Sequence, residues 1–326
     1  MMKKNVKRKS AVFLALVLTL SALALPRVNA ANPVDVEKND CSIEFKTSGD
    51  DKIKADLNTA EVLVKLYRVA EIDSFGEYTA IGDFEKLEVS ALDAEKASSA
   101  KEWEMRAEKA SKMVKDGTKV EASVSLVNGI GTTEKTLPTG LYLVMAEKTL
   151  TSRYEYTFTP YLISLPNNYY YGTGNDDWVY DLTEVSLKPE QKPRYGDLVI
   201  EKELLDLNTT FGDKATFVFQ IDIETLDHKK SSRVVELTME GEPGTKQLIV
   251  KKIPAGATVT VKEVYSGASY RQISDDPEAV TIYADEMIGV RFVNEHDGRS
   301  NGGYGVNNHF EQDEEGQYQY SSEEAQ

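Results

Sequence analysis

The sequence predicts an all-β protein built from two tandem β modules, the first carrying one inserted helix. Three observations carry that prediction. Segments rich in β-branched and aromatic residues recur along most of the 326 residues. One stretch alone, Leu92–Val114, changes to a helical period. And a four-residue pattern occurs twice at a fixed offset, which divides the strand-rich region into two copies of one unit.

The first thirty residues stand apart. Lys3, Lys4, Lys7, Arg8 and Lys9 form a basic head, and an apolar run from Ala11 to Leu25 follows. Val28-Asn29-Ala30 then supplies small residues at the two positions a signal peptidase reads. Residues 1–30 are therefore expected to be a secretory signal peptide cleaved after Ala30. A retained membrane anchor is the poorer reading, because the run is short for a span and Pro26 closes it. Removing six basic residues and no acidic ones takes the net charge from −16 to −22. A chain this acidic is expected to repel nucleic acid and anionic lipid. Cys41 is the one cysteine, so no disulfide can form within a molecule. In the alternation Cys41, Ile43, Phe45 it reads as a small core residue.

The strands follow in order: EVLVKLYRV, LYLVMAE, YTFTPYLISL, WVYDLTEVSL, ATFVFQIDI, KQLIVKKI and AVTIYA. Between the first two lies the helical segment, where Trp103, Ala107, Ala110 and Val114 share one face and Gly117 supplies a stop. Its charges read as a solvated face. Lys188-Pro-Glu-Gln-Lys-Pro-Arg194 is a polar, proline-bearing linker. The expected organisation is thus a signal peptide at 1–30, one β domain at 31–190, a second at 191–297 and a flexible polar tail at 298–326. The repeated pattern pairs Pro138 with Pro254, Gly140 with Gly256, Glu147 with Glu263 and Tyr154 with Tyr270, each 116 positions apart.

Three strands of the second module each send one polar residue onto an apolar face. Leu198, Ile200, Lys202 and Leu204 alternate, as do Val259, Val261 and Glu263, and Val290, Phe292 and Asn294. A lysine, a glutamate and an asparagine directed into one core are costly unless they meet.

The Pro-x-Gly turn, the strand ending in Glu and the Tyr seven residues later resemble the CnaB-type (prealbumin-like) domains of Gram-positive surface proteins. LVIEKEL and VRFVNE fit their opening and closing strands. The first module resembles the N-terminal domain of sortase-assembled pilins, through LYRVAEID, FTPYLISLPN and the WVYDL stretch leading to a lysine. The resemblance runs from Cys41 to Glu295, and the order and spacing of its motifs carry more than any one of them. It implies two immunoglobulin-like sandwiches. It also implies an isopeptide bond between Lys202 and Asn294, promoted by Glu263. Burial lowers a lysine pKa and raises that of a carboxylic acid, so a neutral amine and a protonated Glu263 bonded to the Asn carbonyl are expected. Enclosure supplies the proximity for one turnover.

The first module departs from this pattern. Lys46 is out of phase with Cys41, Ile43 and Phe45, and Pro189 aligns with Asn294, so no bond is expected there. Glu147 is then a remnant or the partner of another group. Lys188 occupies the place where such pilins accept the carboxyl terminus of the next subunit. Its surroundings, Ser186-Leu187-Lys188-Pro189, match the usual Tyr-Pro-Lys-Asn poorly and favour a linker lysine.

The resemblance implies a structural or adhesive protein, secreted or held on a Gram-positive cell wall or pilus. Other pilin subunits, sortase and a host surface ligand are its possible partners. The alternative is a secreted, non-polymerised adhesin binding a host protein or glycan. No LPxTG-like sorting signal with an apolar span and basic tail is seen, and Leu137-Pro138-Thr139-Gly140 reads as an internal turn. The expectation is a subunit that only accepts others, a secreted relative or a truncated product. Asn307 and Asn308 are weaker alternative acceptors. No enzyme motif or cofactor fingerprint occurs, and nothing places two acids on one cleft for glycoside hydrolysis. His228, His296 and His309 lack metal-ligand spacing, and Asn175-Asp176-Asp177 reads as a solvated loop. The aromatic loop at 167–172 reads equally as adhesive surface or packed turn.

Overall fold

A computed structural model describes residues 33–89, 100–168, 178–299, 307–312 and 318–323. The expected signal peptide at 1–30, Asn175–Asp177 and Tyr169–Gly172 lie outside them. The chain divides into two compact units: residues up to Thr151 with Tyr156–Gln191, and Ser152–Glu155 with Lys192 onward.

The elements of the first part of the chain are β1 (Ser42–Thr47), α1 (Asp51–Leu57), β2 (Val62–Ile72), β3 (Tyr78–Ala80), α2 (Ala100–Ser111), β4 (Ala122–Leu126), β5 (Ile130–Thr132), β6 (Gly140–Ala146), β7 (Thr149–Leu150), β8 (Tyr154–Phe158), β9 (Tyr161–Leu165), β10 (Asn167–Asn168), β11 (Trp178–Val179), β12 (Asp181–Leu187) and β13 (Pro189–Pro193). In the first unit β3, β2, β6 and β9 form one sheet, with β4 also on β2, while β12, β1 and β5 form another. Ala107 and Ala110 of α2 are buried with Tyr67, Val69, Leu141 and Leu143, so the predicted amphipathic face covers a sheet. The described helix is shorter than the 92–114 read from periodicity, and 90–99 lie outside the described residues. The short α1 was not anticipated. Its one local signal is Asp50, whose carboxylate accepts from the amides of Lys52 and Ile53.

The second unit contains β14 (Tyr195–Leu204), β15 (Lys214–Glu224), β16 (Lys230–Glu240), β17 (Gly244–Pro254), β18 (Thr258–Tyr265), β19 (Tyr270–Gln272), β20 (Val280–Thr281) and β21 (Met287–His296). Two four-stranded sheets, β17-β14-β21-β19 and β16-β15-β18-β20, face each other across one core. Period-two alternation decides the faces. Leu198, Ile200 and Leu204 point inward with Phe217, Phe219, Ile221, Val259, Val261 and Phe292.

The internal repeat survives in the topology. Each unit pairs its opening and closing strands in parallel, β1 with β12 and β14 with β21. Each also pairs the strands equivalent to β15 and β18 antiparallel, β2 with β6 in the first unit. Composition predicts a mobile tail after residue 298. Within it β22 (Asn307–Gln312) and β23 (Tyr318–Glu323) pair antiparallel, with Phe310 opposite Tyr320.

Candidate functional site

The three polar residues of the second core meet. Lys202 pairs with Phe292 in the β14–β21 register and Leu204 pairs with Asn294, so Lys202 and Asn294 are diagonal neighbours on one face. Glu263 stands on β18, opposite Phe219 of β15, and comes from the facing sheet. The Lys202 ammonium donates to Glu263 Oε2 at 2.6 Å, and the Asn294 amide Nδ2 donates to Glu263 Oε1 at 2.5 Å. One carboxylate thus bridges the two strands that the resemblance implies are joined.

The site is dry. Lys202 and Asn294 are 0 % exposed, as is the Glu263 side chain. The Lys202 ammonium lies 4.4 Å from the centroid of the Phe217 ring, a cation–π contact. Phe219 and Phe292, beside Glu263 and Lys202 in register, pack with centroids 5.0 Å apart. Burial pushes the Lys202 pKa down, and the hydrogen bond and charge of Glu263 offset part of that shift. The direction favours the nucleophilic, neutral amine.

One detail differs from the expected arrangement. Glu263 meets the nitrogen of the Asn294 amide, not its carbonyl oxygen. That nitrogen also donates to the Ser266 carbonyl at 3.3 Å, while Oδ1 is buried without a hydrogen-bond partner. A half-turn of the amide about its Cβ–Cγ bond exchanges the two atoms and sets the carbonyl oxygen against Glu263.

Among the described residues the first unit assembles no such site. Lys46 faces away from the core, in ion pairs with Glu44 at 3.2 Å and Glu184 at 3.1 Å. Glu147, the repeat partner of Glu263, is half-exposed and pairs with Lys65 at 2.5 Å. Pro189 opens β13 and has no amide to give. Cys41 is fully buried, and burial pushes its thiol up to about 11, so it is an inert core residue.

Lys188 follows β12 in the first unit. Its ammonium lies 3.5 Å from Glu104 of α2, with the side chain 28 % exposed, and its carbonyl accepts from the Thr159 amide. The LPTG tetrapeptide is held in place. The Thr139 amide donates to Lys38 O, and its carbonyl accepts from Arg68 Nη2 at 2.7 Å. Gly140 has φ +153°, and a Cβ there would lie 2.6 Å from the Ala70 carbonyl oxygen.

A family described as a domain of unknown function (DUF5979) matches residues 198–297, the segment that carries all three core polar residues. No curated protein matches the chain. Among solved structures, the chain is similar to GBS52, the minor pilin of Streptococcus agalactiae, at 12 % identity over 81 % of this chain and 99 % of that one, with TM-score 0.24. It is similar to the major pilin SpaD of Corynebacterium diphtheriae at 11 % identity over 82 % and 100 %, with TM-score 0.26. It is also similar to the Bacillus anthracis TIE protein at 13 % identity over 86 % and 40 %, with TM-score 0.31.

Proposed function

We propose that this chain is a structural or adhesive cell-surface subunit of the pilin type, secreted from a Gram-positive bacterium. Its second domain is stapled by an isopeptide bond between Lys202 and Asn294. The observation that carries this reading is the enclosed Lys202–Glu263–Asn294 cluster. Burying a lysine, a carboxylate and a primary amide in one apolar core is costly unless they satisfy one another, as these three do.

The reaction balances within the cluster. The Lys202 ammonium gives a proton to Glu263 across their 2.6 Å hydrogen bond, leaving a neutral amine and a neutral acid. This transfer takes no proton from solvent. The acid then donates to Asn294 Oδ1, once the amide has turned, and polarises the carbonyl. The Lys202 nitrogen attacks Cγ, the Cγ–Nδ2 bond breaks, and Glu263 relays the amine's proton to the departing nitrogen. One amide replaces another and one ammonia leaves. Surrounding phenylalanine rings keep water from competing for the carbonyl. The event occurs once per molecule and is not enzymatic turnover.

Intact mass of the secreted protein tests the bond. The expected result is a chain lighter by one ammonia, with Lys202 and Asn294 in one cross-linked proteolytic fragment. Glu263→Ala restores the full mass. A full-mass wild type with every lysine amine free to label removes the proposal. The pilus reading is tested separately, by incubation with sortase and a sorting-signal peptide. Transfer to Lys188 supports a fibre subunit, and no lysine labelling supports the free adhesin.

A further inference from the structure

The second domain has two long sheet edges, and the structure closes them against each other. Strands β16 and β17, each of 11 residues, are the outermost strands of the two facing sheets. The opposite edges, β19 and β20, are only 3 and 2 residues long. A long edge with free N–H and C=O groups invites another strand. β17 adds a strong reason to pair. Its run Gln247-Leu248-Ile249-Val250 has high β propensity, and Ile249 is 43 % exposed.

Each of these edge strands sends one cation inward. Arg233 of β16 is opposite Ile221, and Lys246 of β17 is opposite Lys202, both partners being 0 % exposed. Cross-strand partners share a face, so Arg233 and Lys246 belong to the core-facing rows of their strands. Instead of entering the core they cross the mouth of the sandwich. The Arg233 guanidinium donates to Lys251 O at 2.9 Å and Lys252 O at 3.3 Å. The Lys246 ammonium donates to Thr238 O at 2.7 Å. Each edge strand thereby occupies backbone carbonyls of the other. At the same place β17 is bulged. Gly196 pairs with Ile253 and Leu198 with Val250, leaving Lys251 and Lys252 against Asp197, and the Lys252 amide donates to Asp197 Oδ1 at 3.1 Å.

We propose that Arg233 and Lys246 are a lock that keeps β17 from pairing edge to edge with β17 of a second copy of this chain. An acidic secreted protein at high local density on a surface would otherwise present an eleven-residue strand to its neighbours. An antiparallel pairing of the two copies would be isologous and self-complementary.

The test compares the chain without its leader, Arg233→Ala/Lys246→Ala, and the exchange variant Arg233→Lys/Lys246→Arg. Light scattering across concentration, circular dichroism and amide exchange are measured on each. The alanine pair should keep the wild-type spectrum and dimerise with a dissociation constant at least about tenfold lower than wild type. Amides of 247–250 should gain protection in that dimer. The exchange variant, which keeps both donors, should behave as wild type. The proposal is overturned if the alanine pair associates no more than wild type. It is equally overturned if association requires loss of the native spectrum, leaves the 247–250 amides unprotected, or occurs as readily in the exchange variant.

Discussion

Asn294→Ala isolates the proposed cross-link. It removes the acceptor amide but leaves the 2.6 Å Lys202–Glu263 pair in place, so no buried charge is stranded. The bond would close a loop from residue 202 to residue 294, which is 93 residues counted inclusively. By the chain-entropy relation used for disulfides, such a closure restricts the unfolded chain by about 4.5 kcal/mol. Deleting the buried amide adds the cost of a small cavity, about 1 kcal/mol. For a domain near 100 residues, about 5 kcal/mol lowers the melting temperature by roughly 20 °C. Scanning calorimetry of the whole chain is the suitable assay, because the first unit serves as an internal reference. The variant should lose about 20 °C from the second-unit transition alone. A wild type that melts where Asn294→Ala melts, within a few degrees, refutes the reasoning. The loop would then be open in both.

The repeated glutamates should behave differently in the same assay. Glu147→Ala breaks only a half-exposed ion pair with Lys65 and should cost about 0–1 kcal/mol. Glu263→Ala forfeits the bond and strands a buried lysine, and should cost more than about 5 kcal/mol. Pulling the second domain between its ends should extend wild type only through residues outside the 202–294 loop. Asn294→Ala should release roughly 300 Å more, read as contour length in single-molecule force spectroscopy. The pH dependence has a definite sign. In the unbonded variant Lys202 titrates below its unfolded value of 10.5, so the unfolded chain binds more protons in the window between. The melting temperature of Asn294→Ala, taken relative to wild type, should therefore rise with pH through that window and level off above 10.5. With the proposed bond formed, Lys202 of wild type is an amide nitrogen and does not titrate. Gly140→Ala should destabilise the first unit by about 2 kcal/mol in denaturant titration, because its Cβ meets the Ala70 carbonyl.

Much of the second domain was legible because a sandwich strand has one buried face. Alternation alone put Lys202 beside Leu198 and Ile200, and the same logic placed Glu263 and Asn294. That three strands would bring their polar members to one point needed the resemblance, since period two says which face and not which neighbour. The orientation of the Asn294 amide was not legible either. It depends on the Ser266 carbonyl, which lies in a loop no periodicity describes. α1 escaped notice because seven residues are too few to show a helical period. The pairing of Lys188 with Glu104 joins positions 84 apart in sequence and could not be read locally.

The same comparison explains why one copy of the repeat holds the cluster and the other does not. In the first unit Phe45 pairs with Val185 and Thr47 with Leu187. With Leu187 in the place of Phe292, the position of Lys202 falls to Thr47, a buried residue with no amine. The position of Asn294 falls to Pro189. These two losses concern identity, but the third is geometric. Glu147 is present and yet half-exposed: its amide still donates to the Leu63 carbonyl, but its side chain continues the row of Leu141, Leu143 and Met145 that packs with α2, and it pairs there with Lys65. Glu263 lies within β18, two residues before its end at Tyr265. Glu263 continues the row of Val259 and Val261 into the core between the two sheets, whereas Glu147 continues a row that packs with a helix. A shared residue at a shared offset therefore carries the proposed chemistry only where its row faces the core between the two sheets.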